Sequence, residues 1–134
     1  MADLNRKLGV VEQDNLITST DPVPIIGHAT IKKEAAGEKV YKRGTVLALD
    51  SADNKCVILA DGAALTANCI LCDDVTVGTA EDVTVPVYIA GCFNPDRVIV
   101  GEGYTMKPTD YDALRKYSII FKAALPAYSK TEEE

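Results

Sequence analysis

Tryptophan is absent from this 134-residue chain, and it has only two phenylalanines and one histidine. No basic run is longer than the pairs Lys32-Lys33 and Lys42-Arg43. Each shortage excludes something. With so little aromatic volume, the core has to be filled by aliphatic side chains. His28 alone is available for a Ser-His-Asp or Cys-His constellation. It falls in an irregular stretch with no nucleophile-elbow pattern nearby, so a structural or exposed role is expected. A net charge of −6 without a cationic footprint argues against nucleic acid as a partner. The same acidity disfavours an anionic membrane surface. No apolar run approaches the roughly 18 residues that cross a bilayer. The opening Met-Ala-Asp-Leu-Asn-Arg-Lys-Leu-Gly is too polar for a signal peptide, so a protein made in the cytoplasm that stays soluble is expected.

Four cysteines are present: Cys56, Cys69, Cys72 and Cys92. Cys69 and Cys72 form a C-x-x-C, but three residues apart on a strand they point to opposite faces and cannot easily chelate one ion. Structural zinc also needs a tight turn and, in general, a second such pair, which is missing. Reduced cysteines packed in the core are expected, with neither metal nor cofactor. Asp73-Asp74 and Glu81-Asp82 stand at expected turns, where acids cap backbone. Gly101-Glu102-Gly103 lacks the third glycine and the following helix of a dinucleotide loop. No enzyme signal is left.

What the chain does contain is a succession of short Val-, Ile-, Leu-, Thr- and Cys-rich runs over residues 41–100, each stopped by Gly, Asp or Asn. That is the pattern of packed β-strands. Residues 23–31 form a first strand, placed at an edge because Pro24 lacks a donor and Gly27 weakens a ladder. Residues 40–49, interrupted at Gly44, make a hairpin with 56–60 across a turn at 50–54. Residues 67–72, apolar on both faces, suit a strand covered on both sides. On residues 83–89, Val83, Val85, Val87 and Ile89 share a face, and Pro86 argues for an edge or bulge. A bend at 92–95 precedes a last short strand of the block at 97–100. A helix over 110–117 follows, with Pro108 stopping the preceding segment and Thr109 and Asp112 in a capping pattern. Residues 118–122 return to strand character, and 126–134 form an acidic tail.

Residues 1–22 are polar, without sustained period, yet carry apolar pairs at Val10-Val11 and Leu16-Ile17. Two readings stay open: a disordered terminus, or an arm that orders on a partner. In the second, the arm adds a strand to a partner's sheet edge and Pro22 and Pro24 end the pairing.

Four segments, in order, resemble the head decoration proteins of tailed bacteriophages, the lambda-type capsid-stabilising family. They are Lys42-Arg43-Gly44-Thr45-Val46-Leu47; Asp61-Gly62 followed by Ile70-Leu71-Cys72-Asp73-Asp74-Val75; Val85 through Asn94 with its Gly91-Cys92-Phe93-Asn94 closure; and Asp112-Ala113-Leu114-Arg115 before Ile119-Ile120. The likeness spans about residues 23–125, with a surplus of cysteines and a loose match over 99–107. It implies a mainly β fold of the β-clip type: a β-clip-like incomplete barrel with one short C-terminal helix and a flexible N-terminal arm. The domain would cover 23–125, between the arm (1–22) and the tail (126–134). It further implies a homotrimer on the outer surface of an expanded phage shell, bound to the major capsid protein and resisting the pressure of packaged DNA. Val10, Val11, Leu16, Ile17 and Pro22 would then be the capsid-binding residues of the arm. Two other classes compete with this: a small cysteine-dependent metal or redox protein, and a generic sugar- or peptide-binding β-module.

Overall fold

A computed structural model describes residues 15–123. Among these residues nine strands and one helix follow in chain order: β1 (Ile17–Ser19), β2 (Ile25–Ile31), β3 (Lys39–Tyr41), β4 (Val46–Asp50), β5 (Lys55–Ile58), β6 (Leu65–Leu71), β7 (Val75–Val77), β8 (Val83–Phe93), α1 (Pro108–Arg115) and β9 (Ile119–Phe121). The fold is mainly β, as expected. Its axis is β8, eleven residues long. Along its first part β8 pairs antiparallel with β2 from Ile31↔Val83 to Ile25↔Ala90, and with β6 through Ile70↔Tyr88 and Leu71↔Val87. β5 and β6 both flank β4, and β5 touches β2 through one parallel pair, Ile31↔Cys56. Five strands thus close a ring, β8-β2-β5-β4-β6, that is thinly bonded at two seams. It is an incomplete barrel.

Alternation along these strands sorts the apolar residues into two cores. Leu47, Cys56, Cys69, Leu71, Val85, Val87 and Ile31 fill the ring, joined by Tyr41 and Val77 from a separate ribbon of β3 and β7. Val46, Ala48, Ala67, Ile70, Cys72 and Tyr88 point outward on one side, where Leu114 of α1, Ile119 of β9, Leu16 and Phe93 cover them. Cys69 and Cys72 fall in different cores, as strand geometry requires. All four cysteines are free thiols and buried.

Several expectations need correction. Residues 40–49 are not one interrupted strand: β3 and β4 belong to different sheets, and Gly44 between them has φ +95°, a conformation that side chains disfavour. Pro86 lies within the longest strand instead of at an edge. Its carbonyl accepts from Cys72 N–H at 3.2 Å, so its ring nitrogen faces the place where β6 has already ended and no donor is missed. Ile89 does not share the buried face of Val83, Val85 and Val87: Ile26 pairs with Tyr88 and Ile25 with Ala90, so Ile89 is the extra residue of a bulge and is exposed. The bend expected at 92–95 comes late: the chain turns only from Asn94, whose C=O accepts from Arg97 N–H at 3.0 Å. β8 runs on to Phe93 through Gly91, where a Cβ would come within 2.9 Å of the Phe93 ring. Residues 97–100 make only the isolated bridge Thr45↔Ile99.

α1 begins two residues earlier than its expected range, with Pro108 inside its first turn, where a missing amide costs nothing. Lys107 precedes it, and the Lys107 N–H is satisfied by the Asp110 carboxylate at 2.9 Å; Thr109 and Asp112 do not cap. The Tyr104 hydroxyl donates to the same carboxylate. Burial and then Asp110 push that hydroxyl up to about 12.

Candidate assembly surface

Of the five residues singled out for a partner, Val10 and Val11 lie outside the described residues. Leu16 does not project from the domain. It is 1% exposed, among the core residues that cover the outer side of the ring. Ile17 is half-buried against the same core and pairs with Phe93 of β8. The folded unit therefore reaches back to Leu16, and the boundary expected at residue 22 falls inside it. The reason is the end of β8: beyond Ala90, where its pairing with β2 stops, its edge has free peptide groups, and residues 16–19 fill them. Asn94 N–H donates to Leu16 C=O at 2.7 Å. Pro22 is half-buried between β1 and β2.

β9 pairs parallel with the same end of β8, from Gly91↔Ile119 to Phe93↔Phe121. Thr18 Oγ1 then donates to Lys122 C=O at 3.0 Å, tying the first strand to the last. Both ends of the described chain consequently leave from one place, beside Phe93 and Asn94. Near it the surface is apolar: Val23, Ile25, Ile26 and Ile89 are all exposed, Ile26 by 59%. Ile89 folds over Gly27, leaning on a residue that has no side chain of its own. Among the described residues, the edge of β2 that faces away from β8 has a partner only at Ile31. Reading from sequence missed these isoleucines, although a signal was there. Two successive isoleucines on a strand cannot both face one core, so Ile25-Ile26 marks a strand with apolar residues on both sides.

The opposite end of β8 is charged and closed on itself. Lys32 bridges Asp50 at 3.0 Å and Asp53 at 2.8 Å, while Lys55 meets Asp82 at 2.6 Å. Asp82 also accepts from the Lys33 amide at 2.9 Å. Lys55 holds the Asp82 carboxyl below its usual range, and Lys32 does the same for Asp53. Asp50 is lowered first by the Ala52 amide and then by Lys32.

Between the two ends, residues far apart in sequence converge on Arg43. Its backbone N–H donates to Asp74 at 2.7 Å, and its guanidinium reaches the Cys72 carbonyl at 3.1 Å and the Tyr88 hydroxyl at 2.6 Å. Next to it, Gly44 N–H donates to Leu71 C=O and Thr45 Oγ1 to Lys42 C=O. The Arg-Gly-Thr run, the Cys-Asp-Asp run and the tyrosine of β8 are thus one spatial unit, which secures the turn from β3 into β4 against the end of β6 and the middle of β8. Among the described residues, no three His, Cys, Asp or Glu side chains are grouped so as to hold a metal ion. No helix of the described residues is long and apolar enough to cross a membrane.

A family model described as bacteriophage lambda head decoration protein D matches residues 9–120. No curated protein matches the chain.

Proposed function

From the premise that the chain belongs to the bacteriophage lambda head decoration protein D family, and hence is a structural component of a phage head, we propose that it binds the outer surface of the expanded shell as a homotrimer and braces it against the pressure of packaged DNA. The apolar end of β8 faces the shell, and the charged end faces solvent. The major capsid protein is the partner, and no catalysis is involved. The observation that supports this orientation is the coincidence at one pole of both chain exits with Val23, Ile25, Ile26 and Ile89. A patch of that kind on a small domain marks an interaction site, and the segment with Val10-Val11 joins the described chain at the same place.

In this reading residues 1–14, with Val10 and Val11, supply shell contacts beyond the folded domain, together with the stretch around Pro22. A three-fold contact is heterologous and closes into a ring, so the shell beneath can complete a trimer whose subunits attract one another weakly. The test compares the full chain with one lacking residues 1–14, a cut that spares Leu16. Melting temperature and co-sedimentation with expanded shells are measured for both. Unchanged melting with much reduced binding is expected. Full decoration by the shortened chain would remove the arm from the account. A reconstruction of decorated particles showing single copies or pairs over the shell would dispose of the trimer.

A further inference from the structure

β2 and β5 touch only at Ile31↔Cys56, and beside that contact lies a cleft of about 380 Å³. Its polar lining is His28, Thr30, Thr84, Asn54 and Asn68, over a floor that includes Leu49 and Cys56. We propose that this cleft is a binding site for one neutral sugar ring.

Three observations carry the proposal. The first is size: the volume stands near the lower end of the roughly 300–1,000 Å³ typical of small-molecule sites, enough for a single ring and little more. The second is unspent hydrogen-bonding capacity. The side chains of His28, Asn54 and Asn68 make no hydrogen bond with the described residues, while Thr30 and Thr84 share one hydroxyl–hydroxyl contact at 3.2 Å. Two amides, each with donor and acceptor groups, beside two hydroxyls and an imidazole are the complement of vicinal sugar hydroxyls, which also donate and accept. The third is charge. No ionic group lines the cleft, and the nearby Lys32, Asp50, Asp53, Lys55 and Asp82 are already paired with one another. A neutral ligand is selected, with its C–H face on Leu49 and Cys56.

An extended peptide suits the cleft less well. In the register set by Ile31↔Cys56, Asn54 stands level with Ala29, and its left-handed backbone (φ 58°) turns the chain away from β2. The place where an added strand would continue is taken by that turn, and the free amides stand off the ladder. The cleft lies toward the charged end of β8. If that end faces outward, as in the orientation proposed above, the many copies on one particle would add weak single-site affinities into adhesion to a polysaccharide.

The experiment is a titration of the full ¹⁵N-labelled chain with neutral monosaccharides, namely glucose, galactose, mannose, fucose and N-acetylglucosamine, and separately with an end-blocked alanine tripeptide. Saturable shifts with at least one sugar are expected at amides 28–30, 54–56, 68 and 84. Asn54→Gly keeps the left-handed backbone, and Asn68→Ala removes the second amide. Each should weaken binding by about fivefold to tenfold, the effect of losing one or two hydrogen bonds. No saturable shift with any of the sugars overturns the proposal. So do shifts at other residues, affinity unmoved by both variants, or saturation by the tripeptide alone. None of these results bears on shell attachment, which the co-sedimentation test decides separately.

Discussion

The two ends of β8 are built on opposite principles. At Val83 the barrel closes with ion pairs that are satisfied within the domain, and every charged partner there lies on a neighbouring strand or turn. At Phe93 it closes with strands from the two extremities of the chain, and isoleucines nearby are left uncovered. One end is finished by the domain itself. The other is finished by distant segments and still offers apolar surface. The difference shows how one small barrel can hold a stable fold and an unsaturated surface together: the elements that close it need not be the elements that saturate it.

The comparison is broken most severely at the Phe93 end. Leu16→Ala empties a fully buried site that anchors β1, and about 2–5 kcal/mol of stability should be lost. Chemical denaturation reads this directly. A loss below about 0.5 kcal/mol, the usual range of a surface change, would return Leu16 to a solvent-exposed arm. Next comes Arg43, which joins both halves. Arg43→Ala leaves the Tyr88 hydroxyl and the Cys72 carbonyl without their charged donor, at a cost of about 1.5–3 kcal/mol by the same measurement.

A smaller effect on the free protein sharpens the contrast. Ile25→Ser with Ile26→Ser should alter folding stability by only about 0.5 kcal/mol for each change, since both side chains are more than half exposed. Binding to shells should nevertheless fall strongly in co-sedimentation. Intact binding by this double variant would assign the apolar patch to some other contact.

The smallest effect is expected at the charged end, and only in acid. Asp50, Asp53 and Asp82 have folded pKa values below the ordinary value of about 3.9. Their contribution to stability is present above that pH and is lost as pH falls through the lowered values. Amides of 50–56 should therefore exchange faster below about pH 4, while those of 91–93 keep their protection. Lys32→Ala should weaken this acid response, leaving the shares that the Ala52 amide gives Asp50 and that Lys55 gives Asp82, without shifting the melting temperature at neutral pH, because exposed ion pairs contribute little. A hairpin insensitive to acid in the parent protein would show that the ion pairs do not act as a unit.

The barrel was largely legible because alternation is a local signal. Leu47 and Leu49 facing in, Val46 and Ala48 facing out, and Cys69 and Cys72 on different faces all follow from a period of two. What escaped depends on distant partners. Leu16 reads as half of a short apolar pair in polar surroundings, and only the open edge of β8 makes it core. The β3–β7 ribbon pairs three residues with three across more than thirty of sequence, too short a run for periodicity to reveal. Pro86 misled for a related reason: whether a proline is tolerated in a strand depends on where the neighbouring strand stops. For the assembly surface, Ile25-Ile26 carried a usable signal, whereas Ile89 required knowing that β8 bulges opposite those two residues.

The strands at the Phe93 end have a mechanical consequence. β1 runs antiparallel to β8 and β9 parallel to it, so both chain ends leave β8 on the same side of their last hydrogen bonds, Asn94 to Leu16 and Lys122 to Phe93. A force drawing the two termini apart peels each strand away one bond at a time, so pulling at the ends in a force spectrometer should open them at low load. Tension drawing both termini together along the direction of β8 instead shears all of those bonds at once. Tethered at both ends to one surface, the domain would meet outward strain in its stronger direction.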